Sequence, residues 1–385
     1  MHNNIGQQRE NWNILLLNSI NMITLTASTM SCIACCIDSD APLLALKLSS
    51  ALLFSAATGM LLVMNKIQPS QLAEEQRNAT RLFKQLHTQI QNKISLSYNN
   101  NNNNNLSESD VRDAIEKVLA MDKAFPLPLL GGKMIEKFPS KFEASNWWPK
   151  KKTRVLVPPR TNRSGEPKFN SWWEQFLIRL YLPCGRILDY QGPLPLGIRE
   201  LIRKTKTRVN NKMEINESNN GWNLELENEM KEVIEVVRRK DIEDYERLGN
   251  IALKINKSLA MLGPLLTGLG AIGSLFVGDE MLVNFVPIFA GTLATVANSF
   301  EHGGQVGMVF EMYRNCGGFF ELLEETSEET IEESDLNRRE NGEVFEMKVA
   351  LSLGRSVMEM RELASKSASC RSEGCEIDEF ANKLF

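Results

Sequence analysis

The chain has 385 residues, of which 43% are hydrophobic and 24% charged, and its formal net charge is −4. This composition excludes disorder as a description of the whole chain, and the length suits two domains or one large helical one. The mean hydropathy of −0.24 limits any membrane-embedded part to a minority of the residues. The charges are unevenly spread, because segment 150–212 is basic whereas segment 311–346 is acidic.

Two long apolar hairpins, one at each end of the chain, dominate the sequence. Each consists of two apolar runs separated by a short acidic tip, and Lys47 is the only charge inside a run. The runs are residues 14–37 and 41–64, then 258–277 and 281–300, and the tips carry Asp38 with Asp40, then Asp279 with Glu280. Runs of this length can each span a bilayer as a helix. The sequence therefore predicts an all-α protein whose hairpins are transmembrane or form a soluble core.

Basic residues gather at the open ends of both hairpins, opposite the acidic tips. They are Arg9, Lys66, Arg77 and Arg81 for the first hairpin, and Arg247, Lys254 and Lys257 for the second. Under the positive-inside rule, both hairpins would enter a membrane from the same side. That side would be the cytoplasmic or equivalent face.

The polar content of the first run keeps two other interpretations open. Asn18, Asn21, Thr24 and Ser28 make it only moderately apolar, as in a helix buried within a large soluble bundle. The same residues suit hydrogen bonding between helices inside a membrane. Membrane insertion, a soluble bundle and reversible peripheral attachment therefore all remain.

The apolar runs and changes in composition divide the chain into four parts. We predict a first helical-hairpin module at 1–97, a poly-Asn linker at 98–106, a basic Pro- and Trp-rich section at 107–224, and a second hairpin module with acidic C-terminal helices at 225–385. The two modules share a polar entry, an apolar hairpin and an amphipathic exit helix, which favours a duplication. The periodicity at 344–368 predicts one last helix.

Tryptophan next to lysine marks the best candidate for a partner surface. The candidate residues are Trp147, Trp148, Lys150, Lys151, Lys152, Trp172 and Trp173. This pattern is typical of a membrane interface, where the ring lies among headgroups and the charge meets anionic lipid. It also suits single-stranded nucleic acid, although we expect no nucleic-acid partner. A third interpretation makes Trp172, Phe176, Leu177 and Leu180 one core face of a helix.

Motifs for catalysis, cofactors and metals are missing from the sequence. It has no GxSxG elbow, P-loop or HExxH spelling, and Cys32, Cys35 and Cys36 have no second Cys or His cluster at ligand spacing. The GxGxxG match at 268–273 lies inside an apolar run, where its glycines more simply allow two helices to approach closely. We therefore predict a protein that is not an enzyme and has no cofactor or metal.

Several stretches of the chain resemble a plant family labelled "probable F-box protein". They are HNNIGQQRENWN at 2–13, LKLSSALLFSAATGM at 46–60, NKIQPSQ at 65–71, LPLL at 127–130 and WWP at 147–149. The resemblance implies an adaptor that binds a Skp1-type subunit and presents substrates to a cullin ubiquitin ligase. The F-box itself is not evident, because Leu194-Pro195 leads into Gly197 and a basic helix.

Together these patterns predict a membrane-associated, intracellular, non-enzymatic scaffold or interaction protein whose partner is a lipid bilayer. The alternative is the soluble ubiquitin-ligase adaptor implied by the resemblance. Members of that family carry a Ser-rich segment resembling a plastid transit peptide before the HNN stretch. A plastid location is therefore expected if such a segment is missing from this chain.

Overall fold

A computed structural model describes residues 1–37, 40–99, 108–127, 139–149, 220–278, 281–336 and 338–383. These residues form helices and no strand, which confirms the predicted all-α class. The chain divides into two compact units. The first unit comprises Met1–Pro149 with Arg247–Asn315, and the second comprises Lys150–Glu246 with Cys316–Phe385.

The helices follow the hydropathy pattern closely. In the N-terminal part they are α1 (His2–Ala34), α2 (Asp40–Ile67), α3 (Pro69–Asn99) and α4 (Glu108–Ala124). After residue 220 they are α5 (Leu224–Val236), the π-helical turn π1 (Val237–Ile242), α6 (Glu243–Leu275), α7 (Met281–Asn298), π2 (Ser299–Gly303), α8 (Val306–Glu332), α9 (Gly342–Ser352) and α10 (Val357–Glu373).

The prediction of a single last helix at 344–368 is wrong, because two helices, α9 and α10, occupy this stretch. Gly354 between them has φ 66°, a conformation that glycine adopts without steric cost. Ser356 then starts α10 with a capping box, in which its side chain and that of Glu359 each bond the other's backbone N–H. The apolar periodicity continues through the break and hides it.

In the first unit the two hairpins lie side by side with their tips at the same end. Near the tips, Ser31 Oγ of α1 is 3.3 Å from Ser274 Oγ of α6. At the open ends, Asn65 Nδ2 of α2 donates to the Ala260 carbonyl oxygen of α6 at 2.5 Å. Because α1 also packs against α2 and α7, the four helices form an up-down-up-down bundle.

Small residues let the bundle helices approach closely. A Cβ atom on Gly270 would be 3.0 Å from the Phe54 ring, and one on Gly273 would be 2.9 Å from Val286. The GxGxxG stretch therefore lies inside α6 as a packing surface, although a Cβ on Gly268 would have no neighbour within 4 Å. The apolar core of the bundle contains Ile20, Ala57, Leu61 and Met64.

The segment at 139–149 inserts Phe142 against α6 and α8. Its ring packs with Ala252, Leu253 and Phe310, and its backbone N–H donates to Asn250 Oδ1 at 3.0 Å. A Cβ on Gly249 would lie only 2.1 Å from the Phe142 ring, so this close approach needs a glycine. The segment is thus fixed at the open end of the bundle.

In the second unit, the C-terminal segment is anchored to π1. Asp241, which is fully buried, accepts hydrogen bonds from the backbone N–H groups of Ala381 at 2.8 Å and Asn382 at 3.1 Å. Arg355 donates to the carbonyl oxygens of Phe380 and Ala381, both at 2.5 Å. The end of the described chain is therefore fastened by buried polar contacts.

Candidate functional site: apolar exterior and buried polar layer

The four bundle helices carry many large apolar side chains on the outside. Met22 is 65% exposed, Leu265 64% and Phe289 63%. Other exposed members of this surface are Ile14, Leu25, Ile33, Leu44, Leu48, Leu52, Leu62, Leu269, Ile272, Phe285 and Leu293. A contiguous apolar surface of this extent is unusual for a water-soluble monomer and marks contact with a protein or a membrane.

The interior of the same bundle is lined by small hydroxyl side chains. Thr24, Ser31, Thr267 and Ser274 are buried, and Thr58 Oγ1 donates to Thr267 Oγ1 at 2.7 Å across the α2–α6 contact. Membrane helices associate through small residues and interhelical hydrogen bonds, because lipid supplies no hydrophobic force between helices. The bundle therefore combines an apolar exterior with interhelical hydroxyl contacts beside its apolar core.

Three helical stretches are long and apolar enough to cross a membrane. They are His2–Ala34, Asp40–Ser95 and Leu224–Leu275. Helix α7, Met281–Asn298, contains no charged residue. Pro264 and Pro287 lie inside α6 and α7, where membrane helices tolerate proline because neighbouring groups satisfy the freed backbone.

A layer of buried polar side chains, which we call the polar layer, crosses the open end of the bundle. It consists of Asn13, Asn65, Gln68, Gln71, Glu301, His302, Glu311 and Asn315. His302 Nε2 is 3.1 Å from Asn65 Oδ1, and Gln68 Nε2 donates to Glu301 Oε1 at 3.4 Å. The layer joins α1, α2 and α3 of the first hairpin module to π2 and α8 of the second.

Hydrogen bonding fixes the orientation of the amides in the polar layer. The NH2 groups of Asn13, Gln71 and Asn315 donate to the His302 carbonyl oxygen, Glu311 Oε1 and the Glu311 carbonyl oxygen. Asn65 Nδ2 likewise donates to a carbonyl oxygen, so Asn65 Oδ1 must accept from His302 Nε2–H. His302 Nδ1 is then left as an acceptor.

The two adjacent ionisable groups Glu301 and His302 directly follow the last apolar run. Burial raises the pKa of Glu301 to about 7, against a hydrogen bond from Gln68 that lowers it. Burial lowers the pKa of His302 to about 4, so the ring is neutral at pH 7. Unlike Glu301, Glu311 has a positively charged partner, because Arg314 Nη1 donates to both of its carboxylate oxygens, at 2.9 and 3.0 Å.

The sequence analysis did not identify the polar layer, although a repeated sequence motif lies at its position. Residues 68–78 and residues 305–315 share the pattern Q-x5-E-x2-R-N. In both copies the glutamine has a positive φ, 47° at Gln68 and 53° at Gln305. In both copies the glutamate pairs with the arginine three residues later, at 3.1 Å and 2.9 Å. Comparing the two hairpin exits residue by residue would have found this repeat.

The predicted Trp/Lys surface is described only in part. Trp147 and Trp148 are half-buried, and their ring centroids lie 5.3 Å apart in an edge-to-face arrangement. Lys150, Lys151, Lys152, Trp172 and Trp173 lie outside the described residues, as does the core face suggested for 172–180. The surface therefore stays a prediction. Within the described part of the chain, no group of three or more His, Cys, Asp or Glu side chains could hold a metal ion.

Comparison with known proteins corrects the family assignment. A family model labelled Chloroplast_duf and described as "Petal formation-expressed" matches residues 1–180 and 199–361, nearly the whole chain. The assignment to the "probable F-box protein" family is therefore wrong, and the Skp1-type partner that it alone implied loses its basis. No curated protein and no solved structure matches this chain significantly.

Proposed function

This chain belongs to the Petal formation-expressed family, and from that premise we propose that it is an integral helical membrane protein of the plastid. It acts there as a non-enzymatic scaffold. The chloroplast label of the family supports the compartment.

The observation that carries the proposal is the apolar exterior around a hydroxyl-lined interior. Exposing Leu265, Phe289 and Met22 to water would oppose folding, whereas exposing them to lipid costs nothing. The buried Thr58–Thr267 and Ser31–Ser274 contacts would add little in water but specify helix pairing in lipid.

The charge distribution supports one orientation for both hairpins. The helix ends that lead into the acidic tips lie at the same end of the bundle, while Lys66, Arg77 and Lys257 lie near the open ends. Positively charged residues next to membrane helices stay on the side of the membrane from which the protein is inserted. The open ends therefore face the stroma or an equivalent compartment, and the Trp147–Trp148 pair at that end contacts lipid headgroups.

Replacing Leu265 and Leu269 together by aspartate is expected to abolish membrane integration. Both side chains lie on the apolar exterior of α6, and an aspartate near the centre of a membrane helix costs about 3 kcal/mol each. The measurement is carbonate extraction of plastid membranes carrying a tagged full-length chain. The parent protein should stay in the pellet, and the Leu265→Asp/Leu269→Asp variant should be released or degraded.

Met358→Asp and Leu351→Asp together form the matched control. These side chains are also exposed, at 82% and 56%, but they lie in the second unit, so the variant should remain in the pellet. A soluble bundle gives the opposite result. In that case the parent protein is extracted by carbonate, and the Leu265→Asp/Leu269→Asp variant is at least as soluble, which would rule out the membrane proposal.

A further inference from the structure

The buried polar atoms that lack a hydrogen-bond partner are concentrated in the first unit, at the open end of the bundle. In the described residues they include the side-chain oxygens of Gln68, Ser70, Gln71 and Asn315, together with Glu301 Oε2. Buried polar groups in native proteins are nearly always satisfied by protein, water or an ion. Such a concentration therefore calls for a ligand.

The unpartnered atoms are chiefly acceptors. Asn13 Oδ1, Gln68 Oε1 and Gln71 Oε1 cannot exchange places with their NH2 groups, because each NH2 already donates to an acceptor. The His302 tautomer argued above makes Nδ1 an acceptor too. A ligand for this layer must supply donors or positive charge.

Glu301 adds a charge requirement. Its carboxylate is 1% exposed, and it contacts Gln68 and the neutral His302, whose Nε2 lies 3.6 Å away. No Lys or Arg among the described residues lies within ion-pairing distance of it. An ionised carboxylate in this position is costly unless a cation accompanies it. Water alone would satisfy the acceptors, whereas a cation would also compensate the ionised form of this carboxylate.

We propose that the polar layer, together with the adjacent Ser70, forms a binding site for one alkali-metal cation, held among Gln68, Ser70 and Glu301. A methyl group on Gly307 would stand 3.3 Å from Gln68 Oε1 and 3.4 Å from Ser70 Oγ, so both unpartnered oxygens lie close together beside this glycine. Amide, hydroxyl and carboxylate oxygens are the ligands of hard cations. One uncompensated carboxylate matches a single positive charge, which favours Na+ or K+ over a divalent ion. The site does not depend on whether the bundle lies in a membrane.

The test is thermal unfolding of the full-length detergent-purified protein at pH 8. NaCl and KCl are compared with N-methylglucamine chloride at equal ionic strength. A specific site predicts a saturable rise in unfolding temperature with Na+ or K+, since a ligand that binds only the folded state stabilises it. Elemental analysis after exchange into N-methylglucamine buffer should find about one bound cation per chain when the ion is added back.

Two variants locate the site. Glu301→Gln removes the charge, and Gly307→Ala keeps the charge but fills the space beside Gln68 and Ser70. Each should weaken the apparent cation affinity by roughly tenfold or more. Glu362→Gln, an exposed control on α10, should leave the affinity unchanged. If Glu301→Gln does not fold, Gly307→Ala decides.

Equal unfolding temperatures in alkali and N-methylglucamine salts would overturn the proposal. So would an alkali effect that is the same in the parent, Glu301→Gln and Gly307→Ala proteins. Neither result bears on carbonate extraction, which tests the membrane proposal separately.

Discussion

Replacing Gly291 with leucine is expected to disrupt the four-helix bundle. A Cβ atom at this position of α7 would lie 2.0 Å from Ser28 Oγ of α1 and 2.9 Å from the Phe54 ring of α2. Three helices would have to move apart, and overpacking of this kind costs about 3 kcal/mol or more. The measurement is the thermal unfolding of the detergent-purified protein, in which the midpoint should fall by roughly 5 to 10 °C.

Gly268→Leu makes the same substitution in α6, two residues before the close contact at Gly270 and so on a different face of the helix. A Cβ at Gly268 has no neighbour within 4 Å, and leucine favours a helix over glycine by about 1 kcal/mol. This control should unfold at or above the temperature of the parent protein. Equal destabilisation by the two variants would mean that the packing around Gly291 is not what holds the bundle together.

Asp241→Ala is expected to release the C-terminal segment from the second unit. The carboxylate accepts from Ala381 N–H, Asn382 N–H and Asn382 Nδ2, the last at 2.8 Å. Removing it leaves buried donors unsatisfied, at about 1 to 3 kcal/mol for each. Hydrogen exchange followed by mass spectrometry should show fast exchange at 376–383, together with a lower unfolding temperature.

Asp335→Ala is the control for that experiment. Asp335 is exposed and its carboxylate lies 3.5 Å from Arg338, a surface pair of small energetic value. Exchange at 376–383 should stay as slow as in the parent protein. If Asp241→Ala also keeps slow exchange there, the segment is held by Arg355 and its apolar neighbours, and Asp241 is not the anchor.

The resemblance to the "probable F-box protein" family rested on short matching stretches of sequence. The stretches at 2–13, 46–60 and 65–71 lie in α1, α2 and the start of α3, and they carry helix packing and part of the polar layer. Nothing in them encodes an F-box. The resemblance of these stretches therefore led to the wrong family.

Periodicity and composition alone determined the all-α class, the two apolar hairpins and their acidic tips. These properties depend on local order, since a run of uncharged residues predicts a helix and its environment wherever it lies. The break between α9 and α10 is also determined by local residues, Gly354 and Ser356. The apolar periodicity continues across these residues and therefore conceals the break.

Only the tertiary structure decided which side of each helix meets its neighbours. Thr58 and Thr267 lie 209 residues apart and meet inside the bundle, and Gln71 and Glu311 meet across 240 residues. The sequence around a polar residue in an apolar run does not show whether its side chain faces the outside of the bundle or a partner helix. Its burial depends on distant parts of the chain. The polar layer therefore became visible only when the two hairpin modules were packed together.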